Sequence, residues 1–296
     1  MTIDIGILSI KGPDYHPTRR LAEAALARSA RVVVINPYEL ALAYQDGHPV
    51  FIPPDCINGL DAVLPRQGAE VKTASLAVIA HFEHAGILVV NRLAGILTAR
   101  NKYSTCQALA AAGVSVPETV YATSAEACHR AREAFAPSPV VVKPVSGRQG
   151  TGIHRLDPDT ALPTDIADEL TAGRGVLVQA FVPPRGRTDI RIFVVGGQVV
   201  GAASLTPPEG DFRSNFHVGS RAAPYALPDA LAALACRAVR VIGLDIAGVD
   251  MIVPRHGAPM IVEVNYAPGF RGLEGATGID IAGVIMDHVL SVIEAR

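Results

Sequence analysis

The residues of this chain with the clearest chemistry lie between Ala247 and Gly269. Gly248-Val249-Asp250-Met251-Ile252-Val253 is apolar apart from one acid, Pro254-Arg255-His256-Gly257 has turn chemistry, and Met260-Ile261-Val262-Glu263-Val264-Asn265 is apolar with two polar interruptions. An antiparallel hairpin with Val253 opposite Met260 puts Asp250 opposite Glu263, because antiparallel partners keep a constant sum of residue numbers. Glu263 and Asn265 are two apart and share a face. Two carboxylates and an amide oxygen then converge on one side of an apolar hairpin. Acids side by side in a core are unfavourable unless a cation neutralises them. Hard oxygen donors without thiolate or imidazole point to Mg²⁺ or Mn²⁺, and such sites commonly hold a nucleotide's phosphates. The competing reading is an exposed strand with scattered polar residues.

Other charged residues are placed to serve such a site. Pro139-Val140-Val141-Val142-Lys143 is a strand ending in a lysine, which is either a phosphate ligand or a snorkelling residue. Ser146-Gly147-Arg148-Gln149-Gly150-Thr151-Gly152 follows, a glycine-rich stretch between strands whose backbone amides could face an anion. It is not a Walker A loop, since no Lys-Ser/Thr follows its last glycine. Arg100 and Lys102 lie near the start of a helix expected over Leu97–Ala112, where cations oppose the helix dipole. A phosphate bound there would resolve the conflict; a frayed first turn is the alternative. Asp189 and Arg191 share one face of a strand joined to the next through Gly196-Gly197, a strong hairpin signal.

The elements that must carry these residues begin with strands alternating with helices: Ile3–Ile10, a helix over Thr18–Ser29 whose stripe ends at an outward Arg28, Arg31–Asn36, Asp61–Arg66, a helix over Ala74–Ala85, and Ile87–Asn91. That alternation implies a parallel sheet covered on both faces. No Gly-x-Gly-x-x-Gly follows the first strand, so a dinucleotide role for this part is unsupported. Arg66 ends a strand, where open α/β sheets bind ligands, and is a candidate for holding a substrate carboxylate; a plain surface arginine fits the pattern equally. His81 and His84 lack a nearby third ligand and read as a solvated helix face. Ser124 reads as the cap of a helix to Phe135, with Ala125, Cys128 and Ala131 inward.

The chain has 296 residues, 49% hydrophobic and 18% charged, which excludes a disordered protein. Lys plus Arg is 26 against Asp plus Glu 28, so no general electrostatic case for nucleic-acid binding exists. Cys56, Cys106, Cys128 and Cys236 form no Cys-x-x-Cys pair and read as reduced thiols of a cytoplasmic protein. The start lacks the basic character of a signal peptide, and no apolar run is long enough to cross a bilayer.

The order of these pieces resembles the ATP-grasp enzymes, and more narrowly the RimK-type α-L-glutamate ligases. The matching stretches are Glu209-Gly210-Asp211-Phe212-Arg213-Ser214-Asn215, Glu263-Val264-Asn265-Tyr266-Ala267-Pro268-Gly269 and Thr277-Gly278-Ile279-Asp280-Ile281-Ala282-Gly283. The resemblance spans nearly the whole chain. It implies an α/β protein with α+β lobes: an N-terminal parallel pre-ATP-grasp domain over 1–97, a central ATP-grasp lobe with the glycine-rich loop over 98–185, and a C-terminal lobe with the metal site over 186–296. It also implies that Lys102 and Lys143 contact ATP phosphates, under a loop from Gly147 through Gln149 and Gly150 to Gly152. Backbone groups of Ala180 and Phe181 would hold the adenine edge, and Asp189 the ribose. Arg213, with Lys143, would stabilise the transferred phosphoryl group, with Ser214 and Asn215 near the nucleotide. Asp250, Glu263 and Asn265 would carry Mg²⁺ or Mn²⁺. Ala180 stands where the family often has Glu, and Ser146 and Asn101 replace acids; none removes a metal ligand or a phosphate lysine.

The reaction so implied joins glutamate by its amine to a carboxylate-bearing acceptor, a protein C-terminus or a small cofactor, through an acyl phosphate. The family often forms homo-oligomers. Two further readings remain at this stage: an ATP-grasp ligase acting on an amino-group carrier protein, and a nucleotide-binding regulatory protein without ligation.

Overall fold

A computed structural model of the chain describes residues 2–53, 57, 59–66, 73–147, 151–214 and 219–296. The N-terminal part contains β1 (Asp4–Leu8), α1 (His16–Leu26), β2 (Arg31–Ile35), the hairpin β3 (Ala41–Gln45) and β4 (His48–Ile52), β5 (Ala62–Pro65), α2 (Thr73–His84), β6 (Leu88–Val89), α3 (Leu93–Arg100) and α4 (Lys102–Ala111). The central part contains β7 (Thr119–Ala122), α5 (Ala125–Phe135), β8 (Val140–Pro144), β9 (His154–Leu156), α6 (Thr164–Thr171) and β10 (Val176–Ala180). The remainder contains β11 (Arg187–Val195), β12 (Gln198–Thr206), β13 (Arg221–Pro224), α7 (Asp229–Ile242), β14 (Ile246–Pro254), β15 (Met260–Asn265), α8 (Arg271–Thr277) and α9 (Ile281–Glu294).

Among the described residues, the strands form three sheets and the separate β3–β4 hairpin. The first is parallel, in the order β2-β1-β5-β6. Ile5, Gly6, Ile7 and Leu8 of β1 are all buried, as a strand covered on both faces requires. The second and third sheets are antiparallel, ordered β7-β10-β8-β9 and β13-β12-β11-β14-β15. Gly196 and Gly197 close the β11–β12 hairpin with φ of 56° and 77°, the left-handed values that a two-residue turn joining twisted strands demands. No single helix among the described residues is long and apolar enough to cross a membrane.

The apolar cores join the first and third sheets and leave the second to itself. Leu8 and Val63 pack in one cluster with Ile190, Val239 and Val249. Ile5 and Leu21 pack in another with Phe193, Ile285 and Met286. The central sheet has its own core of Val140, Val142, Val176 and Val178 under Ile166 and Leu170. Polar bonds tighten the first union. The Asn91 carboxamide, 2% exposed, donates to the carbonyls of Ile246 (2.7 Å) and Tyr266 (2.8 Å) and accepts from the amides of Asp245 (2.7 Å) and Ile246 (2.8 Å). Gly95 lies so close to Gly243 that an added Cβ would stand 2.4 Å from its carbonyl oxygen.

Several expectations require correction. The single helix over Leu97–Ala112 is two, because the Asn101 side chain accepts from the amides of Tyr103 (2.9 Å) and Ser104 (3.1 Å) and starts α4 afresh. Arg28 does not simply reach solvent: its Nη2 donates to Asp287 of α9 at 2.8 Å. His81 is 4% exposed, because the β3–β4 hairpin covers it; its Nε2 lies 3.1 Å from the Val50 carbonyl and its ring meets Tyr44 and Phe51 edge-on. Ser124 caps α5 as read, and Cys128 and Ala131 are buried, but Ala125 in the first turn is exposed.

Asn91→Ala would strand the four backbone groups that its side chain now satisfies. The expected loss is about 3 kcal/mol or more of unfolding free energy, at ~1–3 kcal/mol per buried orphan group with partial relaxation. Urea denaturation followed by circular dichroism measures it; a loss below about 1 kcal/mol would mean that the clasp contributes little.

Candidate active site

The acidic hairpin forms, and Asp250 pairs with Glu263 as the spacing predicts. The turn side differs by one residue: Met260 faces Ile252, not Val253, and Ile261 faces Met251. An irregularity beside Asp250 absorbs the offset, leaving Val262 as the extra residue of β15. Asp250 also faces Arg191 across the β11–β14 pairing. The two side chains form a fork-to-fork ion pair, Nε to Oδ1 at 2.5 Å and Nη2 to Oδ2 at 2.6 Å. The Asn265 amide donates to Asp250 Oδ2 at 3.3 Å. Glu263 Oε1 lies 3.1 Å from Lys102 Nζ, the first residue of α4. Lys102 Nζ also donates to the Gly147 carbonyl at 3.2 Å, and its backbone amide donates to the Val145 carbonyl at 2.9 Å. The helix start is thus tied to the segment that leaves Lys143.

These charges hold one another. Burial pushes the Asp250 carboxyl above its ordinary range, against the pull of Arg191. At Glu263 burial acts upward too, but Lys102 and Lys143 outweigh it and the carboxyl sits low. Lys143 is 4% exposed; burial, then repulsion from Lys102, brings its ammonium down to about 8. An anion placed beside it would reverse that shift.

Lys102, Lys143, Arg191, Asp250, Glu263 and Asn265 line one cleft of about 1900 Å³. A pocket for one small ligand is commonly ~300–1,000 Å³, so this space exceeds what one small ligand fills. Gly147, Gly152, Ala180, Phe181, Asp189, Arg213 and Ser214 line the same cleft. Gln149, Gly150 and Asn215 lie outside the described residues.

The farther wall is more committed than the sequence suggested. Asp189 is paired with Arg187 (Nη2 to Oδ2, 2.9 Å) and accepts a short hydrogen bond from the Ser214 hydroxyl. Arg187 also donates to the Phe212 carbonyl at 2.8 Å, tying β11 to the loop that carries Arg213. Arg213 forks onto Asp211, with Nη2 to Oδ2 at 2.7 Å. The amides of Ala180 and Phe181 donate to the carbonyls of Glu118 (3.0 Å) and Pro139 (3.3 Å), so neither is an idle donor for an adenine edge. Arg187, Asp211 and the Arg191–Asp250 pair escaped the sequence reading. Alternation along Arg187-Thr188-Asp189-Ile190-Arg191 was the available signal, since it puts all three charges on one strand face.

The donor set fits a hard divalent cation. Asp250 and Glu263 are in direct register, and Asn265 turns its amide nitrogen to Asp250, with no hydrogen bond to its amide oxygen among the described residues. Among the described residues no group of three His, Cys, Asp or Glu is gathered for a metal, so a third donor beside the two acids would have to be the amide.

A RimK-like ATP-grasp domain matches residues 99–289, and a RimK PreATP-grasp domain matches residues 3–114. The chain belongs to the RimK-like ATP-grasp family. A probable alpha-L-glutamate ligase of Thioalkalivibrio sulfidiphilus (strain HL-EbGR7) is 37% identical over 96% of this chain and 94% of its own. Probable alpha-L-glutamate ligase 2 of Hahella chejuensis (strain KCTC 2396) is 38% identical, over 97% and 95%. The crystal structure of a RimK domain ATP-grasp protein from Sphaerobacter thermophilus superposes with a TM-score of 0.73 at 27% identity, covering 97% of this chain and 99% of that one. This RimK-like protein is an ATP-grasp ligase of the acid–amino-acid class, and its family uses ATP and a divalent metal.

The Lys143 ammonium is charged below about pH 8 and neutral above it. Affinity for a fluorescent ATP analogue should therefore fall as pH rises from about 7 to 9. Lys143→Arg, with a side chain that stays charged, should flatten the profile. An unchanged wild-type affinity across that range would show that Lys143 does not meet phosphate.

Proposed function

We propose that this RimK-like protein is a cytoplasmic, ADP-forming ligase that adds L-glutamate, by an α-linkage, to the carboxylate of a protein C-terminus or a small cofactor. The reading rests on family membership, and one observation carries it to named residues: Asp250 and Glu263 stand in register, each backed by a cation, in a cleft shared with buried Lys143. The free thiols of Cys106, Cys128 and Cys236 accord with a reducing compartment. Three lobes are proposed, with edges at 97/98 and 185/186; the first edge falls inside α3, and α4 packs through Leu109 into the core of the first and third sheets, so the unit that the separate central core supports begins after α4.

A carboxylate is a poor electrophile and must be activated. Its oxygen attacks the γ-phosphorus of ATP, and ADP departs with the bond to the bridging oxygen. The glutamate amine then attacks the acyl carbon, the bond to the phosphate oxygen breaks, and the amine's proton passes to solvent. Lys102 and Lys143 spread the negative charge of the phosphates, and Arg213, released from Asp211, would stabilise the transferred group. Asp250, Glu263 and Asn265 would hold Mg²⁺ or Mn²⁺, which supplies charge neutralisation when bound. Closure of the Gly147–Gly152 segment would keep water from the acyl phosphate.

ADP release with Mg²⁺, L-glutamate and pooled acceptors tests this, with mass spectrometry for a glutamyl increment. Lys143→Ala, Asp250→Asn and Glu263→Gln should each lower the rate about 100-fold or more while the fold persists. Full activity in the Asp250→Asn, Glu263→Gln double variant would contradict the assignment.

A further inference from the structure

The first sheet changes direction beside β1. From β1 the chain crosses to β2 on one side, then returns to β5 on the other. The crevice outside the carboxyl ends of β1 and β5 is therefore the topological switch point, the usual ligand position in an open α/β sheet. Here it opens into the large cleft, through Lys11, Tyr15 and His16 after β1 and Arg66 after β5.

Arg66 is unusual there. It is 8% exposed, yet no carboxylate pairs with it among the described residues. Its Nη2 donates to the Pro268 carbonyl at 2.6 Å, its guanidinium lies 5.9 Å from the Phe270 ring centre, and its Nε has no partner. A buried guanidinium without a counter-charge is costly to hold, and burial pulls this one down to about 10. The His16 ring packs on the same Phe270, at 5.7 Å between centroids, and its Nδ1 is likewise buried without a partner. The nearby acid, Glu274, lies against His16 Nε2 at 3.7 Å and Arg20 at 3.4 Å, so it is engaged elsewhere.

Arg66 also stands close to the chemistry. Pro268 follows the acidic strand, and a Cβ on Gly248 would lie 2.8 Å from Pro268 and 3.8 Å from Arg191 Cδ, whose guanidinium holds Asp250. Arg66 is thus linked through Pro268 and Gly248 to the strands of the acidic centre.

Resting on the ligase reading, we infer that Arg66, with His16 beside it, binds a substrate carboxylate other than the one phosphorylated, and so selects an acidic substrate. The shared chemistry is a carboxylate on a planar guanidinium. The incoming amino acid and the acceptor could each supply it. Arg66 acts here as a specificity residue and takes no part in phosphoryl transfer.

The test is calorimetry on the full-length protein loaded with Mg²⁺ and a non-hydrolysable ATP analogue, titrated with L-glutamate in one arm and a short peptide ending in glutamate in the other. Wild type should bind at least one. Arg66→Met should weaken that binding about tenfold or more. Arg66→Lys should restore part of it, and both should leave analogue affinity unchanged. The arm that responds identifies the source of the carboxylate. If Arg66→Met fails to fold, as loss of the Pro268 bond could cause, Arg66→Lys carries the test: it keeps the charge, loses the fork and should still bind more weakly than wild type. Equal binding by wild type and a folded Arg66 variant overturns the inference, as does a wild type that binds the analogue but neither probe. Failure to bind the analogue at all would instead sink the ligase reading.

Discussion

Two acids held in register by two cations are the constraint on which the site depends. Asp250 and Glu263 would repel across adjacent strands in a poorly solvated cleft. Arg191 answers the first from the neighbouring strand and Lys102 the second from a helix start. Breaking either pair leaves a charge unanswered, a change that typically costs ~3–5 kcal/mol when the site is buried. The pairs therefore fix the relative positions of β11, β14, β15 and α4. A divalent ion bound here would have to compete with a guanidinium and an ammonium for the same oxygens, and a polyphosphate arriving with it would supply the anion that those cations then need.

The scaffold keeps this arrangement by uneven fusion. Shared apolar clusters and the fully bonded Asn91 carboxamide make the first and third sheets one body. The central sheet, with Lys143 at the end of one strand, packs on its own core. The segment leading into it is bound to the acidic strand, with the Ile261 amide donating to the Ser115 carbonyl at 2.9 Å and Val114 packed into the core of the first and third sheets. One wall of the cleft is thus fused to the core of the first and third sheets, while the other carries a core of its own.

Much of the site was legible in the sequence because strands encode it in a period of two. The Asp250–Glu263 pairing and the shared face of Asp189 and Arg191 follow from that alternation. The one-residue slip at the turn did not, because the bulge beside Asp250 has no glycine or proline to announce it. The sequence flagged Lys102 as misplaced at a helix start; its partner, Glu263, comes from a distant strand that helix periodicity cannot reveal. Long-range cover decided the other errors. His81 looked solvated until the β3–β4 hairpin lay over it, and Arg28 looked free until α9 brought Asp287. Membership in the family was legible from motifs, whereas Arg66 was left ambiguous because its burial can be seen only in three dimensions.

The central claim is that the paired acids accept a divalent cation when nucleotide arrives. Electron paramagnetic resonance of Mn²⁺ titrated into the protein, with and without a non-hydrolysable ATP analogue, tests it most directly. The expected result is analogue-dependent Mn²⁺ binding in wild type that disappears in Asp250→Asn, Glu263→Gln. Undiminished Mn²⁺ binding in that double variant would contradict the account.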